Sequence, residues 1–403
     1  MLTVFWEWLD LAVRWLHVVA GIAWIGSSFY FIALDLSLKK RPVESGGGLP
    51  EGAGGEAWQV HGGGFYNMVK YLVAPARMPD QLTWFKWEAY TTWLSGFALL
   101  VLVYYLQAEL YMIDAAVMDL TPWTAVAISI AGLALGWIVY DLLCKSPLGN
   151  NDTVLALIGF VFLVAISYGF TLLFSGRGVY MQMGALIGTM MVANVFVIII
   201  PNQRKVVADL IAGKQPDPKL GMQAKQRSLH NNYLTLPVIF VMISNHYPLS
   251  FASKWNWLIL AIVLVMGALI RHFFNTKHKG GKEPWWTWGA AALGLAAIVW
   301  LSAQPATPLE EAALPEGYEM AEVENVVLSR CSMCHAAEPL WEGIAVAPKG
   351  VLLETPEQIR AHARAIETQV VRTHAMPPGN ITWMEAEERQ LLAAWLAAGA
   401  PAW

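Results

Sequence analysis

Charge is scarce in this chain of 403 residues: 14% are Asp, Glu, Lys or Arg, against 56% hydrophobic. So lean a supply of charge excludes an ordinary soluble domain. The formal net charge of −4 argues against nucleic acid as a partner. Cysteine is scarcer still, with three residues in all. Two of them fall together as Cys331 and Cys334 and leave Cys144 alone, which excludes a disulfide framework. The start MLTVFWEWLD has neither the cationic opening nor the small-residue cleavage site of a removable signal, so the first apolar segment is expected to stay as an anchor. No internal repeat is evident.

What the chain has in excess is apolar and aromatic sequence, with 20 tryptophans. A membrane span takes about 20 mostly apolar residues. Eight stretches qualify: 11–34, 87–106, 122–143, 151–174, 179–200, 232–247, 253–271 and 285–303. The sixth is short and holds Pro237. Lys and Arg gather in cytoplasmic loops, and the loops after spans one, three, five and seven hold 17 of them, whereas the other loops hold only Arg177 and Lys254. Both termini are therefore expected outside, in the periplasm of a bacterial inner membrane, with residues 35–86 as a large cytoplasmic loop.

Beyond span eight the charge reverses. Up to residue 303 there are 20 basic against 16 acidic residues, and from 304 onward 6 against 14. A Pro-, Ala- and Glu-rich stretch, 304–317, reads as a semi-rigid linker. Residues 318–403 then form a domain small enough to need a cofactor in its core.

Within that domain, Cys331-Ser-Met-Cys334-His335 has the spacing that carries a c-type haem on two thioethers, with His335 as proximal ligand. Such attachment takes place outside the cytoplasmic membrane, where the loop charges independently place the tail. Zinc would want two further Cys or His, and only His362 and His374 remain. The sixth iron ligand is expected to be Met376, in HAMPPGN, where two prolines stiffen the loop; His374 is the alternative. Met320, Met333 and Met384 are worse placed, before the motif, between its cysteines and at the start of the last helix. TWMEAEERQLLAAWLAAGAP reads as an amphipathic helix with a capping box at Thr382 and Glu385 and Gly399 near its stop. It is similar to the C-terminal helix of small class I cytochromes c, which packs across the helix before the haem motif. The expected fold class is thus all-α: an eight-helix transmembrane bundle over residues 1–303, followed by a small class I cytochrome c domain.

Inside span one, Asp10, Arg14, His17, Gly21, Trp24 and Ser28 share one helix face. Ionisable residues there are costly in lipid and mark function, or else Asp10 and Arg14 pair near the interface and His17 packs. His17 and His246 are expected near the outer surface, His230 and His272 at the cytoplasmic face. Histidines facing across helices suit bis-histidine ligation of a haem b, or a single copper. The loop sequence WQVHGGGFYNMVKYLVAPARMPDQLTWFKWEAYTTW interleaves aromatic, amide and basic residues, and its glycines let backbone approach a flat ligand or act as a hinge. The run PVESGGGLPEGAGGE before it reads as a flexible excursion.

Taken together, HVVAGIAWIGSSFYF, QVHGGGFYNMVKY, WFKWEAYTTWLSG, the eight spans and the CSMCH tail resemble bacterial membrane-bound urate oxidases (urate hydroxylases) fused to a cytochrome c. The resemblance implies oxidation of urate to 5-hydroxyisourate, with electrons leaving through one covalent haem c to a soluble cytochrome c or terminal oxidase rather than to dioxygen as peroxide. A flat urate anion calls for a cation, amides and an aromatic face. Arg14 with His17, or the loop set His61, Lys70, Arg77 and Gln81, is placed to supply them, which makes Arg14, His17 and His61 the catalytic candidates. Urate bound at the cytoplasmic side would require an intermediate cofactor, a haem b on His17 and His246 or on His230 and His272. Span one also resembles membrane haem proteins that oxidise protoporphyrinogen and copper-import proteins. Three other readings stay open: a porphyrin-handling oxidase, a relay from quinol through haem b to haem c, and a transporter with a fused sensor.

Overall fold

A computed structural model describes residues 2–40, 48–71, 74–75, 78–307, 320–342 and 344–401. Arg77, the first six residues of the run PVESGGGLPEGAGGE and all but the first four linker residues lie outside the described residues, and the last four of that run open the first strand rather than a flexible excursion.

The first helix, α1, spans Leu2–Ser37 and so begins well before the apolar stretch read from the sequence. Strands β1, Ala53–His61, and β2, Gly64–Tyr71, form an antiparallel hairpin, an addition to the all-α class. The GGG run supplies its turn: Gly62 and Gly63 both have positive φ, as a two-residue hairpin turn of matching twist requires. Helix α2, Trp87–Leu99, continues as a π-turn, Leu100–Tyr105. Short α3, Ala108–Tyr111, precedes α4, Pro122–Lys145, which starts on a Thr121 cap with proline in its first turn. Next come α5, Asp152–Thr171, capped by Asn151, and α6, Gly176–Ala193.

A second π-turn, Asn194–Ile199, joins α6 to α7, Ile200–Ile211. Pro201 sits just after it, and a proline ring cannot tolerate the carbonyl four residues earlier in a regular helix, so the preceding turn widens. Helix α8 spans Pro218–Ser244, starting about four turns before the expected span six. The later elements are α9, Pro248–Phe251; α10, Asn256–His278; and α11, Trp286–Ala303. In the tail follow α12, Met320–Arg330; α13, Pro356–Ala361; α14, Ala363–Ile366; and α15, Ala386–Ala397.

Six helices among the described residues are long and apolar enough to cross a membrane: Val4–Ser37, Pro122–Lys145, Asp152–Thr171, Gly176–Ile211, Asn256–His278 and Trp286–Ala303. Two of the eight expected spans, 87–106 and 232–247, are not among them. They are nonetheless helical, one divided by its π-turn and the other part of the longer, more polar α8.

The chain forms two compact units. One comprises Met1–Leu99, Ala185–Ile239 and Leu264–Leu293; the other comprises Leu100–Gly184, Phe240–Val263 and Gly294–Trp403. In the first, α1 packs along α2, and the hairpin is tied to the end of α1 by reciprocal backbone bonds between Lys39 and Glu56 at 2.9 Å. The second is laced by buried polar contacts between α4 and α6, where Ser129 Oγ donates to Gln182 Oε1 at 2.6 Å and Gln182 Nε2 to the Ser129 carbonyl at 2.9 Å.

The tail belongs to the second unit. Linker residues Ala306 and Thr307 donate backbone bonds to the Arg372 and Val371 carbonyls at 3.1 Å, so the linker begins as an ordered strap. The loop after Met376 rests on α3. A Cβ added at Gly379 would lie 2.4 Å from the Ile113 carbonyl oxygen and 2.8 Å from that of Glu109, a contact that only glycine permits.

Candidate functional site

The middle of span one's expected face, His17, Gly21 and Trp24, packs on α2, whereas Asp10 and Arg14 pair with each other in the open. Arg14 Nη2 pairs with Asp10 Oδ1 at 2.9 Å, both partly exposed. His17 is half-buried, and its Nδ1 lies 2.9 Å from the Thr92 carbonyl oxygen and 3.2 Å from Ser95 Oγ. A histidine whose Nδ1–H is held by a backbone carbonyl presents Nε2 as a fixed acceptor, the arrangement that orients metal-ligating imidazoles. Space for the ring comes from Gly96: a Cβ there would lie 2.8 Å from His17 Cε1.

His17 falls in the first unit and His246 in the second; His246 is exposed in the turn after α8. His230 and His272 both belong to the first unit. His272 is exposed, with its Nδ1 3.5 Å from the hydroxyl of Tyr233, one turn along α8 from His230.

The hairpin spreads the loop residues rather than gathering them. His61 ends β1 at the exposed tip. Lys70 pairs with Gly55, six residues back along β1, which puts it about 20 Å from the tip at the usual strand rise. There Lys70 forms an ion pair with Asp35 of α1. Gln81 is exposed before α2.

A second polar site in the first unit was not apparent in the sequence. Arg227 and Arg271 are 3% and 5% exposed, and Asn194, Asn231, Asn232 and Asn275 are buried beside them. On one flank of α8, Asn194 Nδ2 donates to Asn231 Oδ1 and Asn231 Nδ2 to the Met191 carbonyl, both at 2.9 Å, while Arg227 Nη1 donates to Asn194 Oδ1 at 3.3 Å. On the other flank, Asn232 Oδ1 accepts from Arg271 Nε at 3.3 Å and from Asn275 Nδ2 at 3.1 Å. Arg271 Nη2 donates to Asn275 Oδ1 at 3.2 Å, and its guanidinium lies 4.1 Å from the centre of the Phe29 ring. By sequence both arginines count as loop charges. The usable signal was Asn231-Asn232, an amide pair at the start of an apolar run.

In the tail, α12 delivers Cys331, Cys334 and His335. Val323, Val327, Leu353, Ile359, Val370, Val371, Leu392 and Trp395 form the core, and Cys331 and Met376 pack against it. Burial pushes the Cys331 thiol up to about 12, far from the lowered values of redox-active cysteine pairs. His335 Nδ1 lies 3.0 Å from the Val351 carbonyl oxygen, so Nε2 is the ring atom left for a ligand bond. Arg389 locks the Met376 segment: its Nη1 donates to the Val370 carbonyl at 2.8 Å and to that of Met376 at 3.0 Å.

The alternative ligand His374 is engaged elsewhere. His374 Nε2 lies 3.0 Å from Thr307 Oγ1, and burial together with the Arg389 charge pushes its pKa down to about 4. His362 Nδ1 is held 2.9 Å from the Gln358 carbonyl oxygen. Among the described residues, no three His, Cys, Asp or Glu side chains gather as a metal site.

Trp395 Nε1 is buried with no hydrogen-bond partner among the described residues. An unmatched donor inside the core that holds Cys331 and Met376 fits a bound group bringing its own acceptor. Cys331, Cys334, His335 and Met376 could therefore hold a haem c. Helices α12 and α15 meet through Arg330 and Glu388 at 2.9 Å. The capping box differs: Glu385 and Glu388 form it, because the Thr382 hydroxyl is drawn to the Arg330 carbonyl at 2.9 Å.

These features define a mostly helical chain with several helices of membrane-spanning length and a small tail built around Cys-x-x-Cys-His. A family model described as urate oxidase N-terminal matches residues 3–302, and the chain belongs to that family. The matched range ends one residue before the end of α11. No curated protein and no solved structure gives a significant match.

Proposed function

We propose that the chain is a membrane-bound urate oxidase that delivers electrons to a respiratory acceptor. Family membership supports a urate-related oxidoreductase. The finer reading rests above all on one observation: the Met376 loop docks through Gly379 on α3, so the motif-bearing tail sits directly on a helix of the matched region.

Urate and water would give 5-hydroxyisourate, two protons and two electrons. When bound, a haem c supplies a one-electron acceptor, so two turnovers match each urate and no peroxide forms. Cys331 and Cys334 would anchor it, His335 and Met376 would ligate it, and Arg389 would hold the Met376 loop in place. In keeping with the distribution of loop Lys and Arg, we place residues 1–303 as an eight-span domain in a bacterial inner membrane. Both termini would lie in the periplasm, where a soluble cytochrome c or terminal oxidase takes the electrons.

The test is anaerobic mixing of the purified full chain with urate while the haem bands are followed. Reduction of two haem equivalents per urate is expected. Haem that stays ferric under saturating urate would overturn the reading.

The held Nδ1 of His17 favours a second reading, in which the spans carry haem b and relay electrons from quinol. A pyridine haemochrome spectrum showing b as well as c haem, with quinol and not urate as reductant, would select it.

A further inference from the structure

The buried cluster around Arg271 has a chemistry that the fold alone does not explain. Every hydrogen bond that Arg271 makes among the described residues goes to a neutral amide, of Asn232 or Asn275. Its guanidinium, 5% exposed, therefore carries a buried positive charge that pairs with no carboxylate among the described residues. Such a charge is costly away from water unless an anion balances it.

Three more features show what kind of anion would fit. Asn232 is fully buried, and its Nδ2 has no hydrogen-bond partner among the described residues, which leaves a donor unused. Phe29 offers a flat aromatic face, with the guanidinium over it at 4.1 Å. On the opposite flank of α8, Asn194 opens the π-turn that interrupts a 36-residue apolar helix, and such turns recur at functional sites. A forked cation stacked on an aromatic ring and a free amide donor suit a flat, delocalised anion with several ring oxygens and nitrogens. They suit a compact tetrahedral anion poorly.

We propose that Arg271, Asn232, Asn275 and Phe29 form the binding site for the substrate, a planar purine monoanion. The inference rests on the urate reading above and assigns its substrate to residues other than Arg14, His17 and the hairpin set. Arg271 would neutralise the anion through its remaining donors, and Asn232 Nδ2 would bond a ring carbonyl.

The test measures equilibrium binding of urate, and of hypoxanthine as a neutral purine, to the purified full chain without an electron acceptor. The wild-type chain is expected to bind urate at least tenfold more tightly than hypoxanthine. Arg271→Gln should weaken urate binding ten- to a hundredfold and leave hypoxanthine nearly unchanged. Asn232→Asp keeps the shape of the side chain and sets a carboxylate against Arg271. It should hold or raise the melting midpoint yet weaken urate binding at least tenfold.

Urate binding at wild-type strength in either variant would overturn the site while leaving urate oxidation standing. A lowered melting midpoint in Asn232→Asp would show the charge to be balanced already, and would also overturn the site. Failure of the wild-type chain to bind urate would instead overturn the oxidation reading, and the site with it.

Discussion

At the scale of single residues, the tail and the membrane part behave differently. Three of the four proposed haem positions in the tail, Cys331, Cys334 and His335, were candidates in the sequence because one motif fixes their identity and spacing together. Met376→Ala should remove the weak long-wavelength band of a methionine-ligated ferric haem and lower its potential. An unchanged spectrum in the oxidised protein would reject this ligand. Arg389→Ala leaves the Val370 and Met376 carbonyls without their donor. It should cost about 3 kcal/mol in tail stability, measured by denaturant unfolding of the haem-loaded protein, and weaken the same band. Arg271 was misread for a physical reason: a cation near a span boundary counts equally as a solvated loop charge or a buried one, and only packing against Phe29 and Asn232 separates the two.

Elements carry the next level of constraint. Helix α1 approaches α2 closely because Gly96 leaves room for the His17 ring. Gly96→Ala forces the two helices apart or turns the imidazole, and should destabilise the protein by about 1–3 kcal/mol as an overpacked contact. Thermal unfolding in detergent measures that cost, and any haem b bound through His17 should be lost in step. The hairpin shows how an element redistributes chemistry. As a linear string, His61, Lys70 and Gln81 look like one polar cluster; paired strands set His61 and Lys70 at opposite ends and engage Lys70 with Asp35. Glycine runs are hard to read for the same reason, since a turn, a hinge and a ligand contact all ask for the same residue.

For the whole molecule, the proposed electron outlet lies in a tail with 6 basic and 14 acidic residues from 304 onward. Transfer to a cytochrome acceptor should therefore depend on a basic docking face and slow several-fold between low and physiological salt. Stopped-flow rates independent of ionic strength would remove that role from the tail's charge. Accessibility labelling of single cysteines placed near Lys214, between α7 and α8, and in the tail should mark opposite sides of the membrane. Labelling of both from one side would refute the proposed topology.

Composition and periodicity alone determined that the chain is apolar, helical and built of membrane-length segments, because burial in lipid demands long uninterrupted apolar runs whatever their packing. The cysteine motif was equally independent of context. Only tertiary structure decided that the linker begins as a strap on the tail, that the tail rests on α3, and that two arginines and four asparagines from distant segments are buried in one unit. Each depends on which faces of separate helices meet, and a one-dimensional pattern records a helix's faces without recording its neighbours.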